Sequence, residues 1–156
     1  MSLHITSSAF PSGQRIPEDY SGDGADRSPP LSWSGVPDGT AELALICDDP
    51  DAPTPEPWVH WIVYGIPADC RELPEGVSPK TDQHLKQGCN SWPSGQTIGY
   101  RGPLPPKGHG THHYHFRLYA LDQNLNAAPG LDKPSLLALM EGHVLATGEL
   151  IGTYER

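Results

Sequence analysis

The sequence predicts a mainly β protein with one or two short helices, and three observations support this fold class. First, 17 Gly and 18 Pro among 156 residues leave little room for long helices. Second, compact apolar runs such as AELALI and WIVYGI are rich in strand-forming residues and need burial, which argues against disorder. Third, only one segment, near the C-terminus, has the apolar spacing of a helix.

Four segments are predicted as strands. Residues 41–48 and 59–66 are apolar runs bounded by Pro, Gly or Asp, as expected of central strands. The segment YHFRLYAL at 114–121 alternates, and we expect one of its faces to be formed by Tyr114, Phe116, Leu118 and Ala120. The segment GELIGTYE at 148–155 is predicted as a last strand.

The predicted helix begins after Leu131, where Asp132 can cap the free amides and Pro134 occupies the first turn. Gly148 is expected to end it. The apolar residues of the predicted helix recur at helical spacing and are Leu136, Leu137, Leu139, Met140, Val144 and Leu145. The remaining stretches 11–37 and 73–106 are long and turn-rich, and such loops usually carry function or wrap the core.

The chain is the size of one ordinary domain, and no linker or repeat divides residues 1–156. A net charge of −9 repels polyanions, so nucleic acid is not an expected partner. The odd set of three cysteines argues against a disulfide framework and favours a reducing cytoplasm. We expect no membrane span and no export signal, because apolar stretches of sufficient length do not occur.

The first candidate for chemistry is DDPDAP at 48–53, which places carboxylates at the end of a predicted strand. Taken alone, this motif is more typical of a solvated turn whose Asp side chains bond their own backbone. The second candidate is His60, a titratable ring in an otherwise apolar strand. Strand alternation predicts that His60 shares a face with Ile62 and Tyr64, opposite Trp61 and Val63.

The third candidate is the Gly/Pro-rich loop and strand start at 102–116, which holds four of the eight histidines. Alternation places His112 on the face of Tyr114, where an imidazolium and a phenol can both donate hydrogen bonds to an anion. It places His113 and His115 on the opposite face, where an HxH metal clip is the rival interpretation. Four tryptophans are interpreted as core residues rather than as a pocket mouth or dimer face, namely Trp33, Trp58, Trp61 and Trp92.

These motifs together resemble the phosphatidylethanolamine-binding (Raf kinase inhibitor-like) family, in its bacterial branch. The resemblance rests on DPDAP at 49–53, WVHW at 58–61 and GPLPPKGHGTHHY at 102–114, in that order. The opening TSSAFPSGQRIPEDYSGDGADRSPPLSWSGVP and the closing GHVLATGELIGTY also resemble members of this branch. Each motif is weak alone, but the ordered set spans nearly the whole chain.

The resemblance implies an antiparallel β-sandwich with few helices. It also implies one pocket that holds phosphate-like or acetate-like anions, lined by Asp49, Asp51, His60, Pro105, Pro106, His112 and Tyr114. The family usually has Arg between the pocket His and Tyr, whereas this chain has His113. A homodimer and an unidentified protein partner, such as a kinase or protease, are the further partners that the resemblance implies.

We hypothesise that an Asp side chain orients a histidine of this pocket and raises its pKa, so that the charged ring binds the anion. No cofactor and no metal is expected. The alternative is an Asp/His-based hydrolase or a metal-dependent enzyme that uses the same pocket. A nucleophile motif such as GxSxG or HExxH does not occur in the sequence.

Overall fold

Two antiparallel sheets form the protein, whose computed structural model describes residues 3–79 and 85–156. Within the predicted loop 73–106, residues 80–84 therefore lie outside the described residues. A three-stranded sheet has the order β1-β2-β5, formed by His4–Thr6, Leu31–Ser34 and Glu72–Leu73. A five-stranded sheet has the order β6-β4-β3-β7-β8, formed by Lys86–Gln87, Trp58–Pro67, Glu42–Asp49, His112–Leu121 and Val144–Tyr154. The predicted mainly β fold with antiparallel sheets is confirmed.

The main core lies between the two sheets, where apolar side chains from both inner faces pack together. The smaller sheet supplies Ile5, Leu31, Trp33 and Leu73. The larger sheet supplies alternate residues of its long strands, including Leu45, Trp61, Val63, Phe116 and Leu118. Trp33 and Trp61 are therefore core residues, as predicted.

A second, smaller core covers the outer face of the five-stranded sheet. It contains Ala44 and Ile46 of β3, Ile62 and Tyr64 of β4, and two residues of the α-helix near the C-terminus. Strand β3 is thus buried on both faces, which explains why its sequence is a continuous apolar run rather than an alternating one.

Helix α1 spans Lys133–Met140 and begins as predicted, because Asp132 Oδ1 accepts a hydrogen bond from the Ser135 amide at 2.9 Å. Leu136 and Met140, one helical turn apart, are its buried residues. The predicted extension to Gly148 is wrong. Gly142 adopts a φ of 81°, and the chain then enters β8 at Val144.

Val144 and Leu145 mimicked helical periodicity, yet both are largely exposed strand residues. Their helical spacing from the apolar residues of α1 is therefore a coincidence, because they belong to the edge strand β8. The helix also ends early enough for β8 to pair with β7 along almost its whole length, from Val144 to Tyr154.

Strand β4 carries an extra residue opposite β3 at two places, and one of these bulges moves His60. Cys47 pairs with Trp61, but the next residue, Asp48, pairs with Val59, so His60 is left without a partner. The bulge turns His60 towards Tyr114, which lies on the inner face of β7. The prediction that His60 shares the face of Ile62 and Tyr64 is therefore wrong, because strict alternation does not hold across a bulge.

Two further expectations concern the whole chain. All three cysteines lie in the described part of the chain, and each is a free thiol. Among residues 3–79 and 85–156, no helix has the length and apolar character needed to cross a membrane.

Candidate functional site

A cavity of about 240 Å³ opens where β3 ends and where β4 and β7 begin. The antiparallel register brings these strand ends together, since Asp49 pairs with Trp58 and Asp48 pairs with His115. The adjoining loops close the cavity. It is lined by Asp49, Ala52, Pro53, Thr54, Trp58, His60, Trp92, Leu104, Pro105, Pro106, His112 and Tyr114.

Six of the seven predicted site residues line this cavity, and Asp51 is the exception. The Asp51 carboxylate points to the other face of β7, where it accepts hydrogen bonds from the His113 amide and the His113 ring, both at 2.8 Å. These bonds lower the pKa of Asp51 although partial burial opposes the shift. Asp51 is linked to the cavity only indirectly, because its amide donates to Oδ1 of the lining residue Asp49 at 2.8 Å.

The base of the cavity holds a buried carboxylate and imidazole pair. His112 Nδ1 lies 2.6 Å from Asp49 Oδ2, and the two side chains are only 2% and 4% exposed. A carboxylate in contact with Nδ1 accepts the proton of that nitrogen, so it selects the ring tautomer and leaves Nε2 as the outward atom. Asp49 is thus the predicted bracing carboxylate, and His112 is the histidine that it orients.

His60 is buried beside this pair but has a different proton state. Its Nδ1 donates to the Arg101 carbonyl at 2.6 Å, which leaves Nε2 unprotonated in the neutral ring. Burial lowers its pKa from 6.5 to about 4, although the Arg101 carbonyl and Asp49 oppose the shift. The hypothesis of a charged pocket histidine is therefore wrong for His60, which is neutral at neutral pH and presents an acceptor.

Tyr114 provides a hydroxyl donor next to the two histidines. Its ring is 1% exposed and packs edge-on against His60, with the ring centroids 5.0 Å apart. Burial and the nearby Asp49 carboxylate raise its pKa, so the phenol keeps its proton. Among the described residues, the Tyr114 hydroxyl has no hydrogen-bond partner, and it is available to a ligand.

The rim of the cavity is apolar and aromatic. Trp58 and Trp92 meet edge to face with ring centroids 5.4 Å apart, and Trp92 also contacts the His60 ring at 5.2 Å. Both tryptophans were expected in the core and instead line the mouth. Trp58 lies two residues before His60, so strand alternation could have placed it on the same side as His60. No local pattern in the sequence pointed to Trp92, which reaches the site from a loop.

The ionisable residues of the lining are Asp49, His60, His112 and Tyr114. None of the lining residues is Lys or Arg. Two cations border the lining: the Arg101 guanidinium stacks 4.6 Å from the Trp92 ring centroid, and Arg156 Nη1 donates to the Pro105 carbonyl at 3.3 Å. The cavity therefore offers hydrogen-bonding groups of histidine and tyrosine rather than a lysine or arginine side chain.

The rival interpretation, an HxH metal clip of His113 and His115, is not supported by the contacts of these two rings. His113 bonds Asp51, whereas the His115 ring lies 3.1 Å from Glu149, beside Arg117. In the part of the chain that the structure describes, no cluster of three or more His, Cys, Asp or Glu side chains is arranged to hold a metal ion.

His109 was not singled out for this site, although the sequence showed it in the histidine-rich loop. Its Nδ1 lies 2.6 Å from Nε2 of His112, while its own side chain is exposed. Only the tertiary structure shows this contact. His109 lies in a loop and His112 begins β7, so their separation of three residues does not predict that the two rings meet.

The comparison with protein families settles the identity of the fold. Residues 6–155 match the model of the phosphatidylethanolamine-binding protein family. The chain belongs to this family. The resemblance recognised in the ordered motifs is thereby confirmed, and the family model spans almost the entire sequence.

Relatives of this family member come from archaea and bacteria. A UPF0098 protein of Methanothermobacter thermautotrophicus is 47% identical over 154 residues, covering 99% of each chain. A crystal structure of a phosphatidylethanolamine-binding protein homolog from Chlamydia trachomatis is 42% identical, with a TM-score of 0.88 and 99% and 98% coverage. The structure of Escherichia coli YbcL is 31% identical, with a TM-score of 0.89 and 100% and 99% coverage.

Proposed function

We propose that this protein binds a small oxyanion, a phosphate, phosphoester or carboxylate, in the cavity between His60, His112 and Tyr114. The observation that carries the proposal is the buried Asp49–His112 pair, which stands beside an unpartnered tyrosine hydroxyl in a cavity of about 240 Å³. That volume is smaller than the roughly 300–1,000 Å³ of pockets for drug-sized ligands and suits a single anionic group.

The proposed site contains two hydrogen-bond donors and one acceptor. Tyr114 donates from its hydroxyl, and His112 donates from Nε2 when its ring carries a second proton. The neutral His60 ring accepts a hydrogen bond, which matches an oxyanion that retains one O–H, such as a monohydrogen phosphate or phosphoester. Binding is therefore coupled to protons, either on the ligand or on His112.

The apolar rim favours a ligand whose anionic group is attached to a larger, partly apolar molecule. Trp58, Trp92 and Leu104 surround the mouth, and Leu104 is 44% exposed. An anionic group presented by a protein partner would use the same mouth. We also propose that the protein regulates a kinase, protease or other signalling partner by binding such a group.

Calorimetric titration with inorganic phosphate between pH 5 and 8 tests the proposal. We expect the affinity to fall as the pH rises, and we expect His112→Ala to lose most of it. His143→Ala is the matched control, because His143 pairs with Asp122 in the turn after α1 and does not line the cavity. Affinity that stays constant over this pH range, or an equal loss in both variants, would contradict anion binding at this site.

Incubation of the protein with phosphate esters and carboxylate esters, followed for product, separates binding from catalysis. Turnover of a phosphate or carboxylate ester that His60→Ala abolishes would favour the hydrolase alternative. We further propose a single domain over residues 1–156, supported by the family match at 6–155, and a cytoplasmic location, supported by three free thiols.

A further inference from the structure

The contact between His109 and His112 occupies the atom that the proposed function requires. The two ring centroids are 4.8 Å apart at an interplanar angle of 52°, and His109 Nδ1 lies 2.6 Å from His112 Nε2. His112 Nδ1 is already bonded to Asp49. Both ring nitrogens of His112 are thus engaged within the protein, and neither is free for a ligand.

The hydrogen positions in this contact follow from chemistry. Because Asp49 accepts, His112 Nδ1 carries a proton, and its Nε2 either accepts from His109 Nδ1–H or donates to an unprotonated His109 Nδ1. In both cases a single proton lies between the two rings. An anion cannot accept a hydrogen bond from His112 Nε2 until the His109 ring has moved away.

The loop that carries His109 allows this movement at little cost. Its backbone is held by hydrogen bonds that do not involve the His109 ring, among them those from the Gly108 amide to the Arg156 carbonyl at 3.0 Å, from the His109 amide to the Pro106 carbonyl at 3.1 Å and from Arg156 Nη1 to the Pro105 carbonyl at 3.3 Å. The His109 side chain, by contrast, is exposed, and the contact with His112 is its one hydrogen bond among the described residues. Rotation of the side chain therefore exposes no core residue.

We infer that His109 is a latch that competes with the anion for Nε2 of His112 and that it swings out when the anion binds. This inference rests on the proposed function and deepens it, because it assigns a regulatory residue to the same cavity. Opening the latch gives up one hydrogen bond and frees the ring nitrogen that faces the ligand.

Phosphate titration of the intact protein and its His109→Ala variant tests the latch. Removal of a competing hydrogen bond is expected to tighten phosphate binding about twofold to tenfold at neutral pH. The ¹⁵N chemical shift of His112 Nε2 in the phosphate-free protein should also change in this variant. His143→Ala, which removes a histidine far from the cavity, should alter neither the affinity nor that shift.

The outcomes separate the latch from the proposed function. Unchanged or weaker phosphate binding by His109→Ala, with clear binding by the unmodified protein, would overturn the latch alone and make His109 a bystander or a ligand contact. Failure of both proteins to bind phosphate would overturn the proposed function and the latch together. Tighter binding with a shifted His112 nitrogen supports both.

Discussion

The Asp49 carboxylate lies 2.6 Å from the ring of His112, and this pair is nearly shielded from solvent. A second pair on the same two segments, Asp51 with His113, has similar geometry at 2.8 Å but is 41% and 49% exposed. The chain therefore contains a buried pair and an exposed copy, which makes the energetic role of burial testable within one molecule.

Asp49→Asn should destabilise the protein more than Asp51→Asn. Loss of the buried charge leaves His112 and the Asp51 amide with a poorer acceptor, at a cost of about 1–3 kcal/mol. The exposed pair is screened by water, so its loss should cost less than about 1 kcal/mol. Urea unfolding of the two variants measures the difference, and equal losses would show that burial does not strengthen the Asp49 pair.

The depressed pKa of His60 predicts how stability depends on pH. The unfolded chain takes up this proton near pH 6.5, whereas the native state takes it up only near 4. The contribution is therefore fully present above pH 6.5 and is lost as the pH falls towards 4, by on the order of 3 kcal/mol. Urea unfolding at several pH values should show this slope, and His60→Gln should reduce it. A slope that is the same in both proteins would mean that His60 is not buried in neutral form.

Tyr114→Phe isolates the contribution of one hydroxyl to ligand binding. The ring stays buried, so the fold should be retained, while loss of one donor should weaken phosphate binding by about 0.5–1.5 kcal/mol, or roughly two- to tenfold. Tyr119→Phe is the matched control, because Tyr119 lies on the opposite face of the same strand and packs near the outer core. If calorimetry finds the same phosphate affinity for both variants, the Tyr114 hydroxyl does not contribute to phosphate binding.

Lys133→Met tests the charged cluster on the outer face. Asp48 is 1% exposed, and it accepts hydrogen bonds from Lys133 Nζ at 2.6 Å and from Arg117 Nη1 at 3.0 Å. Loss of the lysine leaves a buried carboxylate with one cation, which should cost about 1.5–3 kcal/mol of unfolding free energy. Lys107→Met, in an exposed loop, should cost almost nothing. Equal thermal unfolding of both variants would show that Arg117 alone satisfies Asp48.

Much of the fold was predictable because the long strands carry their signal locally. The runs in β3 and β4 and the alternation of β7 depend on side chains within a few residues of each other. The strands β1, β2, β5 and β6 have two to four residues each and exist only through pairing with distant segments. The end of α1 was also misplaced, since pairing of Val144 with Leu121 outweighs local helical periodicity.

For the candidate site, the sequence by itself determined the family and the chemical types, with Asp49, His60, His112 and Tyr114 at strand ends and a rigid Pro105–Pro106 loop. Only the tertiary structure decided their roles. A bulge turns His60 inwards and burial keeps it neutral, while Asp49 and Asp51, two residues apart, each select a different histidine. The physical reason is that proton states and hydrogen-bond partners depend on burial and on contacts across strands, which neighbouring residues in the sequence do not encode.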